Sequence, residues 1–344
     1  MIIVIVGFGS AGKYYLDILK KNKNIKKIFI IEEKKLTPNK LFEQTDLKNI
    51  VKRNIKIDHA IICTPSGYHY GSAKFFIKRK VNVLIEKPFV LKLSHATELI
   101  KLSKKNKIKC WVVFQNRYNL AISKLKKIIK ENTLGEISLV DAVMLWHRSY
   151  AYYEVNWRGK YKTDGGVLAN QAIHLLDALV YLFGEIKNFN ALAGFNKKKL
   201  QAEDVIDLSF IHKNNILSSL KATTRANRDY RSAIDVIGEK GRVIVKGISL
   251  NTFNYFKKDR LILDKVNSEE FTLGMGPISG MGNGHLKILK EFLNEKIKLS
   301  SKNLEINKNY YLLKLIHSIY ITINNKNKNK IKSTVKNKQS IWGK

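Results

Sequence analysis

Cysteine is nearly absent. Cys63 and Cys110 are the only two among 344 residues, which excludes a disulfide framework and any cysteine-built metal cluster. Both thiols lie in apolar runs, AIIC and KIKCWVV, and read as core residues. Long hydrophobic runs are missing too. The opening MIIVIVGFGSAG turns to glycine after six residues and has neither the basic flank of a signal peptide nor the length of a membrane span, so a soluble cytoplasmic protein is expected. Acidic residues are scarce: 28 Asp and Glu stand against 63 Lys and Arg, a formal net charge of +35. Such a balance suits polyanions. The lysines, however, are scattered with Asn and Ile through segments such as KKNKNIKK, KLSKKNKIK and KLKKIIK, and no nucleic-acid module accompanies them. A compositional bias is the simpler expectation, with no specific nucleic-acid partner, no membrane and no metal.

The length suits about two domains with a self-sufficient core. In the first, β-rich runs alternate with helical patterns. MIIVIV leads into GSAGKYYLDILKKNK and then KKIFIIEE, which is one βαβ unit. A helix is predicted over residues 39–53, then strand IDHAIICT, helix Tyr68 to Lys80, strand VNVLIE, helix Leu93 to Asn106 and strand IKCWVVFQ. Unbroken Val/Ile strands between helices imply a parallel sheet covered on both faces. The expected class is therefore α/β, with a doubly wound Rossmann domain over residues 1–118. After helix AISKLKKIIKEN the strands arrive as hairpins, with HKNN and GEKG at the turns. A second α+β domain with a mostly antiparallel sheet is expected over residues 119–325, followed by a basic polar tail over residues 326–344. Helices are expected within it from Val167 to Phe183 and from Gly284 to Asn294.

Gly7-Phe8-Gly9-Ser10-Ala11-Gly12 follows one strand directly and opens a helix, the context in which a glycine triplet signals dinucleotide binding. Such a turn lets a pyrophosphate approach the free N–H groups of the helix start. Glu32 ends the second strand, where a carboxylate can hold two ribose hydroxyls and repel a 2′-phosphate, so NAD is favoured. Lys34 and Lys35 keep NADP as the alternative. At the end of the third long strand, Thr64, Pro65 and His69 fall at the carboxyl edge of the sheet, where ligands bind. Glu86-Lys87-Pro88 ends the next. There a lysine beside a cationic nicotinamide would have its ammonium form disfavoured and be useful in proton transfer, though Glu86 and Lys87 could equally form a simple salt bridge.

Together GFGSAG with its downstream acid, CTPSGYH, EKP, FQNRYN, WRG and DGGVLANQAIHLLD resemble the glucose-fructose oxidoreductase/inositol dehydrogenase (Gfo/Idh/MocA) family, and TTRANRDYRSAIDVIGEKGRV and GNGHLKILKEFL extend the similarity. The resemblance implies a nicotinamide cofactor, a Rossmann domain followed by an open-faced sheet, and a homodimer or homotetramer. It maps the family's motif lysine onto Lys87 and its motif histidine onto His174, and it brings Gln115, Trp157 and Arg158 to the cofactor. On a helix Asn170 and His174 share one face while Leu168, Leu175, Leu176, Leu179 and Leu182 pack elsewhere. His174 would take a hydroxyl proton, Lys87 would stabilise the alkoxide or share the base role, and Asn170 and Gln171 would bind substrate. Many relatives carry Asp at the position of Asn170, and an amide cannot be a base. With Arg148, Tyr152, Tyr153 and Arg158 upstream, the pattern resembles the branch that oxidises the 3-hydroxyl of UDP-N-acetylglucosaminuronate; those side chains could also pack an oligomer interface. Inositol or a free sugar is the alternative substrate, and a non-catalytic NAD or nucleotide-sugar sensor the alternative function.

Overall fold

Residues 1–195, 200–257, 260–262, 284–294 and 299–328 are described by the computed structural model. The short apolar runs of the first third become six parallel strands: β1 (Ile2–Val6), β2 (Lys27–Ile31), β3 (Glu43–Thr45), β4 (His59–Ile62), β5 (Asn82–Ile85) and β6 (Cys110–Val112). Between them run α1 (Ser10–Leu19), α2 (Leu47–Lys52), α3 (His69–Lys78) and α4 (Leu93–Asn106). The order β3-β2-β1-β4-β5-β6 reverses direction at β1, so a crevice opens beyond the carboxyl ends of β1 and β4. Ile3, Val4, Ile5, Ala60, Ile61 and Ile62 are wholly buried there, which explains strands without polar alternation.

One expectation needs correction. Residues 39–53 are not a single helix: Glu43–Thr45 pairs with Phe29–Ile31, and only then does α2 begin, capped by the Asp46 carboxylate on the Asn49 N–H. Pairing at the sheet edge overrides the local helical pattern.

The second sheet has eight strands: β7 (Ile137–Leu145), β8 (Ile186–Gly194), β9 (Val205–His212), β10 (Leu217–Thr223), β11 (Arg231–Gly238), β12 (Gly241–Lys246), β13 (Thr252–Lys257) and β14 (Arg260–Ile262). Their order is β14-β13-β12-β11-β7-β10-β9-β8. Every neighbouring pair is antiparallel except β7 with β10, which run parallel at the centre, Val140 opposite Ser218. β8 has no counterpart in the sequence reading. Its IKNFNALAG buries only Ile186 and Ala191, too few apolar positions to mark a strand. Preceding these strands or between them lie α5 (Leu120–Lys130), the single turn α6 (Tyr150–Tyr153) and α7 (Ile173–Phe183). α7 is apolar nearly all round and buried accordingly; each of Leu175, Leu176 and Leu179 contributes roughly 2 kcal/mol of burial.

The last described segments return to the first sheet. α8 (Gly284–Leu293) packs Phe292 against Trp111 of β6, ring centroids 5.5 Å apart, and the Ile306 N–H bonds the Cys110 carbonyl at 3.1 Å. α9 (Tyr310–Lys328), which the sequence reading did not assign, contacts α4 and β8. The expected tail therefore begins inside α9, and its remaining residues 329–344 lie outside the described part. No helix among the described residues is long and apolar enough to cross a membrane.

Candidate active site

The glycine turn has two packed members and one open one. Gly7 adopts φ +89°, and a Cβ there would stand 2.7 Å from the Thr64 nitrogen; a Cβ on Gly12 would stand 2.2 Å from the Gly7 carbonyl oxygen. Both glycines are required by close backbone approach. A Cβ on Gly9 would meet nothing within 4 Å. Gly9 caps α1 without any side-chain acceptor, so the N–H groups of the first turn, at Ser10 and Ala11, stay available for an anion. Glu32 bends over this turn: its Oε2 accepts the Phe8 N–H at 2.8 Å and its Oε1 the Glu33 N–H at 3.0 Å. Thr64 Oγ1 and Gln115 Oε1 are buried without a partner among the described residues. An open cradle, a carboxylate and orphaned polar atoms fit a dinucleotide.

At the next strand ends the loops are braced by His69. Its Nδ1 lies 2.9 Å from the Pro88 carbonyl and its Nε2 2.7 Å from the Thr64 carbonyl, and the ring is 1% exposed. Direct contact with a dinucleotide, expected from its place at the sheet edge, gives way to holding Thr64-Pro65 against the cis Lys87–Pro88 peptide. Glu86 does not pair with the Lys87 amine. Its Oε1 accepts the Tyr15 hydroxyl at 2.8 Å and lies 3.8 Å from His285 Nε2. Lys87 Nζ donates instead to the backbone carbonyl of Asn170 at 2.7 Å. Burial pushes the Lys87 amine below the ordinary lysine range; Glu86 and Asp164 oppose the shift, Arg158 and Arg148 add to it.

The expected helix from Val167 begins as a π turn, Leu168–Ala172, before α7 takes over. The wider turn re-aims its residues, a device common at functional sites. It turns the Asn170 carbonyl to Lys87 and the Asn170 amide nitrogen to the Asp164 carboxylate, whose other oxygen accepts the Gly159 N–H at 2.7 Å. One N–H of the Asn170 amide, the group expected to face substrate, is therefore given to Asp164. His174 Nδ1 is buried with no partner among the described residues, and burial, then Lys87, then His285, push the imidazole well below its usual pKa. At neutral pH the ring is neutral and can accept a proton.

His285, Tyr15 and Asp164 carry no role in the sequence reading. His285 is 5% exposed, its Nδ1 is also unpartnered, and Tyr14 and Tyr15 flank it edge-on at 5.6 and 6.1 Å. The glycine before it was its signal: a Cβ on Gly284 would stand 2.2 Å from the Gln115 carbonyl oxygen, which seats α8 at the site.

Aromatic and cationic side chains close the other wall. The Arg158 guanidinium lies 3.7 Å from the Tyr152 ring centre and 4.3 Å from that of Trp157, and Arg148 lies 5.5 Å from Tyr152. Arg148 has one long ion pair, 3.5 Å to Asp229; Arg158 has none among the described residues. The Tyr152 hydroxyl accepts Gln171 Nε2 at 3.1 Å, whereas the Tyr153 hydroxyl is taken by Thr224 at 2.7 Å. A small pocket runs beside His174, lined among others by Gln115, Trp146, Gln171 and Ile248. The described residues hold no His/Cys/Asp/Glu group able to bind a metal ion.

Comparison with known proteins agrees with this geometry. Residues 1–114 match the model of an oxidoreductase family with an NAD-binding Rossmann fold, and residues 122–244 match the GFO/IDH/MocA C-terminal domain. The fold is similar to that of the WlbA dehydrogenase from Bordetella pertussis, solved in complex with NADH and UDP-GlcNAcA, with a TM-score of 0.80 and 22% identity over 94% of this chain and 96% of that one. The myo-inositol 2-dehydrogenase of Thermotoga maritima is 21% identical over 73% of this chain and 77% of its own length. An uncharacterised oxidoreductase of Synechocystis is 22% identical over 73% of each chain. With both halves matched in order, the chain belongs to the Gfo/Idh/MocA family of NAD-binding oxidoreductases.

Proposed function

We propose that this enzyme oxidises a ring hydroxyl of an anionic sugar, with the 3-hydroxyl of UDP-N-acetylglucosaminuronate the best-fitting substrate. The observation that carries the reading is the junction of the two halves: Lys87 of the first donates to the carbonyl of Asn170, in the turn that leads to His174 of the second. Gly9, Ser10, Ala11, Glu32 and Thr64 would hold NAD, with Glu32 disfavouring a 2′-phosphate. When bound, that cofactor supplies the acceptor for a hydride. The chain's own residues handle the proton. Neutral His174 accepts it from the substrate hydroxyl, and Lys87, fixed by the Asn170 carbonyl, donates a hydrogen bond to the developing alkoxide. Asp164 keeps Asn170 in place for that bond. Arg158 and Arg148, stacked on Tyr152 and weakly paired, present guanidinium charge suited to a carboxylate or phosphate.

The reading assigns cofactor binding to residues 1–118 and substrate binding to residues 119–325, in a cytoplasmic homodimer or homotetramer. Leu139, Leu192, Ile211, Leu217 and Ile237, exposed on one face of the second sheet, support assembly through that face; light scattering of the purified protein tests it.

NADH formation by the purified protein, followed by absorbance, decides the function. UDP-N-acetylglucosaminuronate should give a signal above myo-inositol and free hexoses, and Lys87→Ala and His174→Ala should each cost about 10²–10⁴ in kcat while NAD still binds. An unchanged rate in Lys87→Ala would refute the assignment. The Thermotoga relative favours the second reading, in which inositol gives the larger signal. NAD binding without turnover on any substrate points to a sensor.

A further inference from the structure

Glu203 stands just before β9 and takes no part in the chemistry above. It is 2% exposed, and no cation pairs with it among the described residues. Its backbone carbonyl accepts the Val167 N–H at 2.9 Å; its side-chain Oε1 accepts the Leu168 N–H and the Tyr320 hydroxyl of α9, each at 3.0 Å. The carboxyl lies on Gly166, where a Cβ would stand 2.1 Å from Oε2. The one Tyr320 hydroxyl proton is shared with the Gly165 carbonyl, Tyr161 packs edge-on against Tyr320 at 5.5 Å, and Glu203 Oε2 is buried with no hydrogen-bond partner among the described residues. One side chain thus ties together the glycine loop, the first N–H of the π turn and the C-terminal helix. Burial lifts its pKa to about 8, so at neutral pH it is uncharged and needs no cation to stay there.

The consequence falls on Lys87, whose acceptor is the carbonyl of Asn170, two residues into the turn that Glu203 caps. We propose that Glu203 is a positioning residue for Lys87, holding the π turn so that the Asn170 carbonyl stays at the lysine amine. This rests on Lys87 being the titrating amine of the proposed dehydrogenase. The groups that act on that amine are Glu86, Asp164, Arg148 and Arg158, with His174 and His285 nearby; none of them hydrogen-bonds the Glu203 side chain, and Asp164 adjoins the glycine loop on which its carboxyl lies. The Asn170 carbonyl stabilises the ammonium form, so losing it lowers the pKa further.

The test is the pH midpoint of Lys87 acylation by a small amine-reactive ester, read by peptide mass spectrometry on the full chain without substrate. In Glu203→Ala the midpoint should fall by about one pH unit, and Glu203→Gln, which keeps an uncharged acceptor, should restore most of it. An unchanged or raised midpoint in a folded Glu203→Ala overturns the proposal. If that variant does not fold, Tyr320→Phe decides: a lowered midpoint supports the proposal and an unmoved one overturns it. Failure to oxidise any sugar would defeat the dehydrogenase reading and leave this measurement intact.

Discussion

Gly9 and Gly12 lie three residues apart in one turn, yet they do different work. A methyl group on Gly12 collides with the Gly7 carbonyl, while one on Gly9 points into the open cradle. Gly12→Ala should therefore lose both stability and NAD binding. Gly9→Ala should keep its melting temperature and weaken NAD binding by about tenfold or more, as a methyl in the phosphate path removes close backbone contact. Titration of NAD against tryptophan fluorescence, beside a thermal melt, separates the two; equal effects on melting would show that the space above Gly9 is not the cofactor's path. At this scale part of the candidate site is legible. Turn chemistry and strand ends mark Gly7, Glu32 and Lys87 locally, whereas His174 is singled out by the family resemblance. Glu203 and His285 are marked by neither, because a buried acid and a buried imidazole are defined by what folds over them, and their partners lie far away in sequence.

At the scale of elements, the turn from Leu168 to Ala172 shows where periodicity stops being informative. A regular helix would place Asn170 and His174 on one face; the π turn instead spends the Asn170 amide nitrogen on Asp164 and offers its carbonyl to Lys87. α7 behind it is held by a buried ion pair. Arg117 Nε donates to Asp177 at 2.9 Å, its fork makes a second bond to the same carboxylate, and it also bonds the carbonyl of Asn303 and the side chain of Asn309. Removing the arginine strands a buried carboxylate, so Arg117→Ala should cost about 3–5 kcal/mol in urea unfolding. A loss below about 1 kcal/mol would show the pair to be idle. α9 escaped the sequence reading for a similar reason. β-branched residues crowd Ile316 to Ile323 and lower helix propensity, and its buried stripe of Leu312, Ile316, Ile319 and Ile323 gains meaning only against α4 and β8.

For the whole molecule, the basic composition combines with several buried imidazoles to set the response to acid. His59, His69, His174 and His285 all have folded-state pKa values depressed by burial, that of His59 to about 4. Their unfolded pKa is near 6.5, so between 6.5 and about 4 the unfolded chain binds protons that the folded chain refuses, and stability falls as pH drops through that window. His59 alone can account for up to about 3 kcal/mol of the loss. Urea melts across this range should show the decline, and His59→Gln should flatten it; a slope unchanged in the variant would remove His59 from the account. Repulsion within a chain of net charge +35 acts in the same direction.

The sequence by itself determined the parallel first sheet, the hairpins of the second and the glycine cradle, since each follows from short-range pattern and local turn chemistry; the roles proposed for Lys87 and His174 rest on the family resemblance. Tertiary structure decided the rest. The parallel pairing of β7 with β10, the return of α8 and α9 to the first sheet, the π turn and the carboxyl of Glu203 beneath it depend on contacts between residues distant along the chain, where burial and packing outweigh local preference.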